Sequence, residues 1–326
     1  MSSMKAIRIH ETGGPEQMRL EEVPLPAPGL GEVRVKHEAI GVNFIDVYRR
    51  SGLYPLSLPS GLGEEAAGVV DAVGEGVTRF KAGDRIAYCS GPSASYAEYN
   101  IVDANKAVLL DARIPFEIAA SAMLKGLTAY YLLRKTFRVE PGHIVLMHAA
   151  AGGVGQIATQ WAKHLGATVV GVVGSDEKAN LASALGADHV IVSSREDMAK
   201  RAREISGGEG VDVVYDSVGK DTFEASLDSL KPLGLMVSFG NASGPVPPIS
   251  PLVLMQKGSL FLTRPTLGTY VRTTALLDEA ARELFAVIAS GAVKIAAPTR
   301  YALADAAQAH SDLEARRTTG SLILTP

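Results

Sequence analysis

The stretch HAAAGGVGQ, His148 to Gln156, carries residue types suited to holding a charged ligand by its backbone. Ala149, Gly152 and Gly155 stand at A-x-x-G-x-x-G spacing. Before them lies the apolar run GHIVLM; after them Ile157, Ala158, Trp161, Ala162 and Leu165 recur at helical intervals. Residues this small let a backbone approach a pyrophosphate, and the N–H groups and positive dipole end of the following helix stabilise its charge. Gly155 would let that helix pack closely on the preceding strand. The plainer alternative is a tight strand–helix turn that binds nothing. A dinucleotide loop is commonly followed, about 20 residues on, by an Asp or Glu that binds the adenine ribose hydroxyls. Here TVVGVV ends at Val173 and runs into GSDEKA, with no carboxylate at the strand end to repel a 2′-phosphate. Ser175 offers a hydroxyl and Lys178 a positive charge, which favours NADPH. Alternatively, Ser175 caps the next helix and Lys178 is solvated. Asp176 and Glu177 suit the helix dipole but would weaken a phosphate site that they faced.

Other reactive side chains are sparse. A single cysteine, Cys89, excludes an intramolecular disulfide and reads as a small buried hydrophobe rather than a nucleophile. The seven histidines are scattered, with no H-x-x-H or H-E-x-x-H pair. His148 ends a strand and reads as packed there rather than catalytic.

The elements that position these residues change character along the chain. The first third reads as short strands separated by Gly/Pro turns. In EVRVKHE, Val33, Val35 and His37 share one face, with Arg34, Lys36 and Glu38 on the other. VPLPAPGLGE, with its three prolines, reads as an exposed connector. GVVDAVGEGVTRFKAGDRIAY reads as hairpin-connected strands. From about Lys125, six continuous apolar strands (IVLMHA, TVVGVV, HVIV, VDVVYDS, LMVSFG and LFLTRP) alternate with helices. That alternation predicts an α/β, doubly wound parallel Rossmann sheet covered on both faces. The tail holds a helix, TTALLDEAARELFAVIASG, and a strand, GSLILTP, expected to return to the first domain. The expected division is 1–126, 127–266 and a returning segment, 267–326. The 326 residues suit two domains. A net charge of −3 without a basic stripe gives no reason to expect nucleic acid or an anionic membrane as partner. No segment reaches the roughly 18 apolar residues of a membrane span, and MSSMKAIRIH lacks a signal-length apolar run. The expected location is the cytosol.

Five separate stretches resemble one family: GVNFIDVYRRSGLYP with LPSGLGEEAAGVV, AAAGGVGQIA, YDSVG, SFGNASG and KGSLFLTRP. The chain resembles the zinc-independent, zeta-crystallin-like quinone oxidoreductases of the medium-chain dehydrogenase/reductase superfamily over essentially its whole length. The resemblance implies a mainly β, GroES-like catalytic domain beside the Rossmann domain, with a cleft between them. Zinc-dependent members of the superfamily have Cys at the position of Asn43 and His–Glu at Glu64–Glu65. With one cysteine in the chain, neither a catalytic nor a structural zinc site is expected.

Without zinc, the workable chemistry is hydride transfer from nicotinamide C4 to an acceptor that is already electrophilic, a quinone or alternatively a conjugated enone or alkenal. By resemblance, Asn43, Asp46, Tyr48 and Tyr54 line the catalytic side of the cleft. Asn43 would be an amide donor or acceptor near the nicotinamide ribose; Tyr54 would stabilise the acceptor oxygen or relay a proton. Asp46 has a plainer reading as a local cap, and Tyr54 as a surface loop aromatic. Thr128, Gly152, Gly153 and Val154 are assigned to the pyrophosphate and nicotinamide half, Ser175 and Lys178 to the 2′-phosphate, and Phe239 and Asn241 to the nicotinamide end. Arg316 matches a basic position that reaches towards the cofactor, with Arg317 the alternative. Ser193 replaces a Tyr found near the adenine phosphate in some bacterial members, and Arg195 stands close enough in sequence to compensate. A non-catalytic role, structural or RNA-binding, is disfavoured by the intact loop and the mild acidity. A homodimer is expected through the edge strand GSLFLTRP.

Overall fold

The structure is a computed structural model describing residues 2–89, 94–315 and 317–326. The chain folds as two compact units. One comprises the chain up to Lys125 with Val271–Ala281 and Ile295–Pro326; the other comprises Gly126–Tyr270 with Arg282–Lys294. The helix Thr274–Ala289 is thus divided, its residues through Ala281 grouping with the first unit and those from Arg282 with the second.

The first unit is mainly β. Its largest sheet runs Thr299–Ala302, Leu322–Thr325, Glu32–Val42, Glu65–Val73, Arg85–Tyr88, Ala107–Leu109, with Tyr99–Asp103 also paired to Glu32–Val42. Three further strands, Arg19–Pro24, Ser3–Ile9 and Ser60–Gly61, form a separate sheet. Val33, Val35 and His37 are buried as their alternation requires. Val33 and Val35 join a core that includes Ile40, Leu62, Val70, Tyr88 and Leu324. The C-terminal strand pairs antiparallel with Glu32–Val42, Leu322 opposite Val42. Among the described residues, the α-helix Phe44–Arg50 and the short 3-10 turns Pro15–Gln17 and Ala104–Lys106 depart from the expected run of strands.

The second unit holds the expected doubly wound sheet. Its order is His189–Val192, Thr168–Val173, Ile144–His148, Val211–Asp216, Leu230–Ser238, Phe261–Thr263, parallel throughout. In chain order this is 3-2-1-4-5-6, the order that leaves a crevice at the carboxyl ends of the central strands. Val145, Leu146, Met147, Val170, Val213 and Val214 have no exposure, as strands covered on both faces require. Ile157, Ala158, Trp161 and Ala162 bury the apolar stripe of Gly153–His164. Among the described residues no helix is long and apolar enough to cross a membrane.

Candidate functional site

The glycine loop stands where a parallel sheet offers its ligand site, at the carboxyl end of Ile144–His148 and the start of Gly153–His164. Ala149 has φ +49, a left-handed conformation that an L residue with a Cβ rarely adopts. That explains why the commoner form of this loop has glycine there. Gly152 caps the helix in extended conformation, and its carbonyl accepts the N–H of Gln156 at 2.8 Å. Gly153 and Val154 open the helix, so their N–H groups belong to the unsatisfied first turn. A Cβ on Gly155 would lie 2.1 Å from Ala149 O and 2.8 Å from the Ala150 α-carbon. The loop is therefore folded tightly on the helix, with a backbone surface that suits a pyrophosphate.

The strand ends around it are tied together. His148 is buried, with Nε2 2.9 Å from Ser226 Oγ; Ser226 in turn donates to Asp216 Oδ2 at 2.8 Å. Burial lowers the His148 pKa against the opposing pull of Asp216. This packed role matches the sequence reading. Asp216 Oδ1 accepts the N–H of Val218 and Gly219, and its carbonyl accepts the N–H of Phe239 at 2.7 Å. Phe239 and Asn241 follow the strand Leu230–Ser238. Arg264, which the sequence reading does not single out, donates to Ser238 O at 2.8 Å and, with the Asn241 amide turned to donate to Gly240 O, to Asn241 at 3.2 Å. Only the basic residue in LTRP hints at it. Thr128 is half-buried on the helix Phe116–Tyr131.

Ser175, Lys178, Ser193 and Arg195 gather past the end of Thr168–Val173. Ser175 is the N-cap of Asp176–Ala184 and accepts the N–H of Lys178 at 3.4 Å, so the plainer capping reading holds. A hydroxyl that accepts there can still donate through its own proton. Ser193 donates to Val173 O at 3.1 Å. Arg195 pairs with Asp176 at 2.5 Å, placing a guanidinium on the carboxylate that would oppose a phosphate. Arg317 pairs with Asp312 at 3.0 Å. Arg316 lies outside the described residues.

In the first unit, Asn43 is buried and is the N-cap of Phe44–Arg50. Its backbone N–H donates to Asp46 Oδ2 and its Nδ2 to Glu65 Oε2, at 2.9 and 2.8 Å. Tyr48, on the same helix, meets the Tyr54 ring edge-on at 5.3 Å, and the Tyr54 N–H donates to Tyr48 O at 3.0 Å. Both tyrosines are half-buried. Asp46 has no exposure; burial and the Glu64 carboxylate push its pKa up to about 8. Tyr96 donates to it at 2.9 Å, and Tyr96 Oη also lies 2.9 Å from His310 Nε2. Asp46 thus serves the local fold, as its plainer reading had it. Cys89 is buried, and burial pushes its thiol up. Glu64 forms an ion pair with Arg49, while burial raises its pKa. An amide held by Glu65 and an arginine-paired carboxylate therefore occupy the positions where zinc-dependent relatives have thiolate and imidazole. These donors do not fit zinc. Among the described residues, no group of three His, Cys, Asp or Glu side chains is placed to hold a metal ion.

A doubly wound cofactor unit with a glycine-loop cradle, joined in one chain to a GroES-like β unit, defines a dinucleotide-dependent dehydrogenase or reductase of the medium-chain type. Two family models match: an alcohol dehydrogenase GroES-like domain over residues 29–112 and a zinc-binding dehydrogenase over 153–285. A quinone oxidoreductase of Pseudomonas aeruginosa is 54% identical over 323 residues, covering 99% of each chain. A 2-haloacrylate reductase of a Burkholderia species is 45% identical over 325 residues, covering 98% of each. The crystal structure of an Escherichia coli quinone oxidoreductase complexed with NADPH has a TM-score of 0.97 at 52% identity, covering 99% of this chain and 100% of that one. The chain belongs to the zinc-independent quinone oxidoreductase family of the medium-chain dehydrogenase/reductase superfamily.

Proposed function

We propose that this protein is an NADPH-dependent quinone oxidoreductase that works without a metal. The observation that carries the reading is the pairing of an intact dinucleotide cradle with an acceptor side whose position 43 is an amide fixed by Glu65. Because the side chains at positions 43 and 64 do not suit zinc, an acceptor that brings its own electrophilicity, as a quinone does, fits this site.

When bound, NADPH supplies a hydride from nicotinamide C4. The backbone N–H groups of Gly153 and Val154 hold the pyrophosphate, which lies over Gly152, whose own N–H is given to Ala149 O at 2.7 Å; Thr128, Phe239 and Asn241 stand towards the nicotinamide. Ser175 and Lys178 bind the 2′-phosphate, and Ser193 leaves room beside it. Asn43 holds the nicotinamide ribose. Tyr48 buttresses Tyr54, whose Oη hydrogen-bonds the acceptor oxygen as negative charge develops there. A quinone that gains the hydride then takes one proton, from Tyr54 Oη or from water, to become the hydroquinone.

A second reading, reduction of a conjugated C=C, draws support from the 45% identity to a 2-haloacrylate reductase. Both need the same hydride geometry. The test is the ratio of kcat/KM for 1,4-benzoquinone to that for an α,β-unsaturated ketone with NADPH in excess. The quinone reading expects a ratio above one; a ratio well below one transfers the proposal to enones.

The working form in this reading is a homodimer. Phe261–Thr263 ends the six-stranded sheet, with Phe261 60% and Leu262 38% exposed. An exposed apolar edge strand invites pairing with its own copy about a two-fold axis.

A further inference from the structure

Two carboxylates without exposure, Asp46 and Glu65, grip Asn43 from different sides, one at the backbone and one at the side chain. Glu65 is the more telling. It starts the strand Glu65–Val73, directly opposite Gly41 of Glu32–Val42 in the antiparallel register. Its Oε2 accepts from Asn43 Nδ2 at 2.8 Å, and its Oε1 accepts the Leu124 N–H at 2.7 Å. Lys125 Nζ lies 3.8 Å from Oε2 and donates to Val42 O at 3.3 Å. A Cβ on residue 41 would lie 2.3 Å from both Glu65 Oε2 and Ala120 O, so only glycine leaves room for the carboxylate. Every partner of Glu65 in this cluster is a donor, and each oxygen is engaged.

We propose that Glu65 is a positioning residue. It accepts a hydrogen bond from one Nδ2–H of Asn43, and so fixes the amide with Oδ1 turned away from the carboxylate, towards the Asp46 N–H of the capping box, with its second lone pair left to accept from a ribose hydroxyl. An N–H bonded to a carboxylate shifts electron density onto the amide oxygen, which strengthens Oδ1 as an acceptor. The requirement is one of polarity. Glu65→Gln keeps the shape, yet the new amide must turn its NH2 either towards the Leu124 N–H, leaving two donors face to face, or towards Asn43, whose amide then clashes donor to donor or flips so that Oδ1 is spent on residue 65 and no longer faces the ribose. The exchange Asn43→Asp with Glu65→Gln restores a donor–acceptor match. The NH2 of the amide introduced at position 65 then donates to the carboxylate introduced at position 43, and its carbonyl oxygen accepts from Leu124. Position 43 still presents an acceptor oxygen. The proposal rests on the reading that Asn43 meets the cofactor.

The test uses the full-length chain in two measurements. In protein labelled with 15N-asparagine and free of cofactor, the Asn43 side-chain amide should be protected from solvent exchange, and Glu65→Gln should abolish that protection. NADPH Kd by fluorescence titration should rise about tenfold in Glu65→Gln, the scale of one well-placed hydrogen bond. It should rise similarly in Asn43→Asp, where two acids face each other, and return to within about threefold of the parent in the double variant. Thermal midpoints identify any variant that has not folded. An unchanged amide signal in folded Glu65→Gln, or a double variant no better than the singles, overturns the proposal. Loss of amide protection with unchanged NADPH affinity overturns the cofactor role of Asn43 alone. A parent chain that does not bind NADPH overturns the functional reading instead.

Discussion

Among single residues, the glycine loop separates positions where a Cβ is merely strained from those where it cannot fit. Ala149 holds φ +49, a left-handed conformation that costs an L residue about 1 kcal/mol, so Ala149→Gly should keep NADPH binding without loss of thermal stability. Gly155 is the opposite case, because a Cβ there meets the Ala149 carbonyl at 2.1 Å. Gly155→Ala should weaken NADPH by about 100-fold or more, near 2.7 kcal/mol, read by fluorescence titration. Retained affinity would show that the cradle is not there. The spacing of Ala149, Gly152 and Gly155 was legible in the sequence because a strand–loop–helix cradle is local. The contacts of Glu65 were not: it pairs with Gly41 across the sheet and reaches Leu124 far along the chain.

His37 shows the same limit and gives a pH dependence. Sequence alternation places it on the buried face, and the structure shows why an imidazole is tolerated there. Its Nδ1 lies 2.7 Å from Ala97 O and must donate, so Nε2 accepts from Tyr88 Oη at 2.8 Å. Burial lowers its pKa to about 4, with the Ala97 hydrogen bond opposing. Between pH 6.5 and about 4 the unfolded chain binds a proton that the folded chain refuses, so this contribution is full above 6.5 and is lost as pH falls through 4. Burial also raises the carboxyl groups of Asp46, Glu64 and Glu65, so the comparison is with His37→Gln, which leaves those groups in place. Denaturant unfolding of the parent should lose stability faster than the variant as pH falls through this window, by up to about 1.4 kcal/mol per pH unit. Parallel pH curves would contradict this.

Among the elements, the parallel strands were legible because each is a nearly continuous apolar run bounded by a helix. The helix Phe44–Arg50 was not, since seven residues are too few to establish a helical period. Its cap depends on Asp46 and on partners supplied by other strands. The start of Asp176–Ala184 raises a question that sequence posed and packing answers. Asp176 would repel a 2′-phosphate, but Arg195, from beyond the neighbouring strand, pairs with it at 2.5 Å. Both side chains are mostly exposed, so the effect is modest and screened by salt. Arg195→Ala should lower the ratio of NADPH to NADH affinity by about three- to fivefold, and Asp176→Asn should raise it. The same shift for both variants would contradict the pairing.

For the molecule as a whole, the strand order 3-2-1-4-5-6 and the mainly β unit follow from the two sequence regimes, one turn-rich and one alternating strand with helix. The edge strand Phe261–Thr263 bears on how copies of the chain associate. Light scattering at micromolar concentration should give about twice the chain mass of 34.2 kDa, and Phe261→Glu should shift it towards one chain. A monomeric parent would refute the dimer.

An NADPH cradle serving a metal-free reduction of quinones stands or falls on one assay. The purified protein is titrated with NADPH and with NADH, 1,4-benzoquinone is added in the presence of a chelator, and the reduced-nicotinamide absorbance is followed. Tighter NADPH binding with rapid, chelator-insensitive oxidation is the predicted result. Tight binding with no quinone-dependent oxidation, or activity abolished by the chelator, would contradict it.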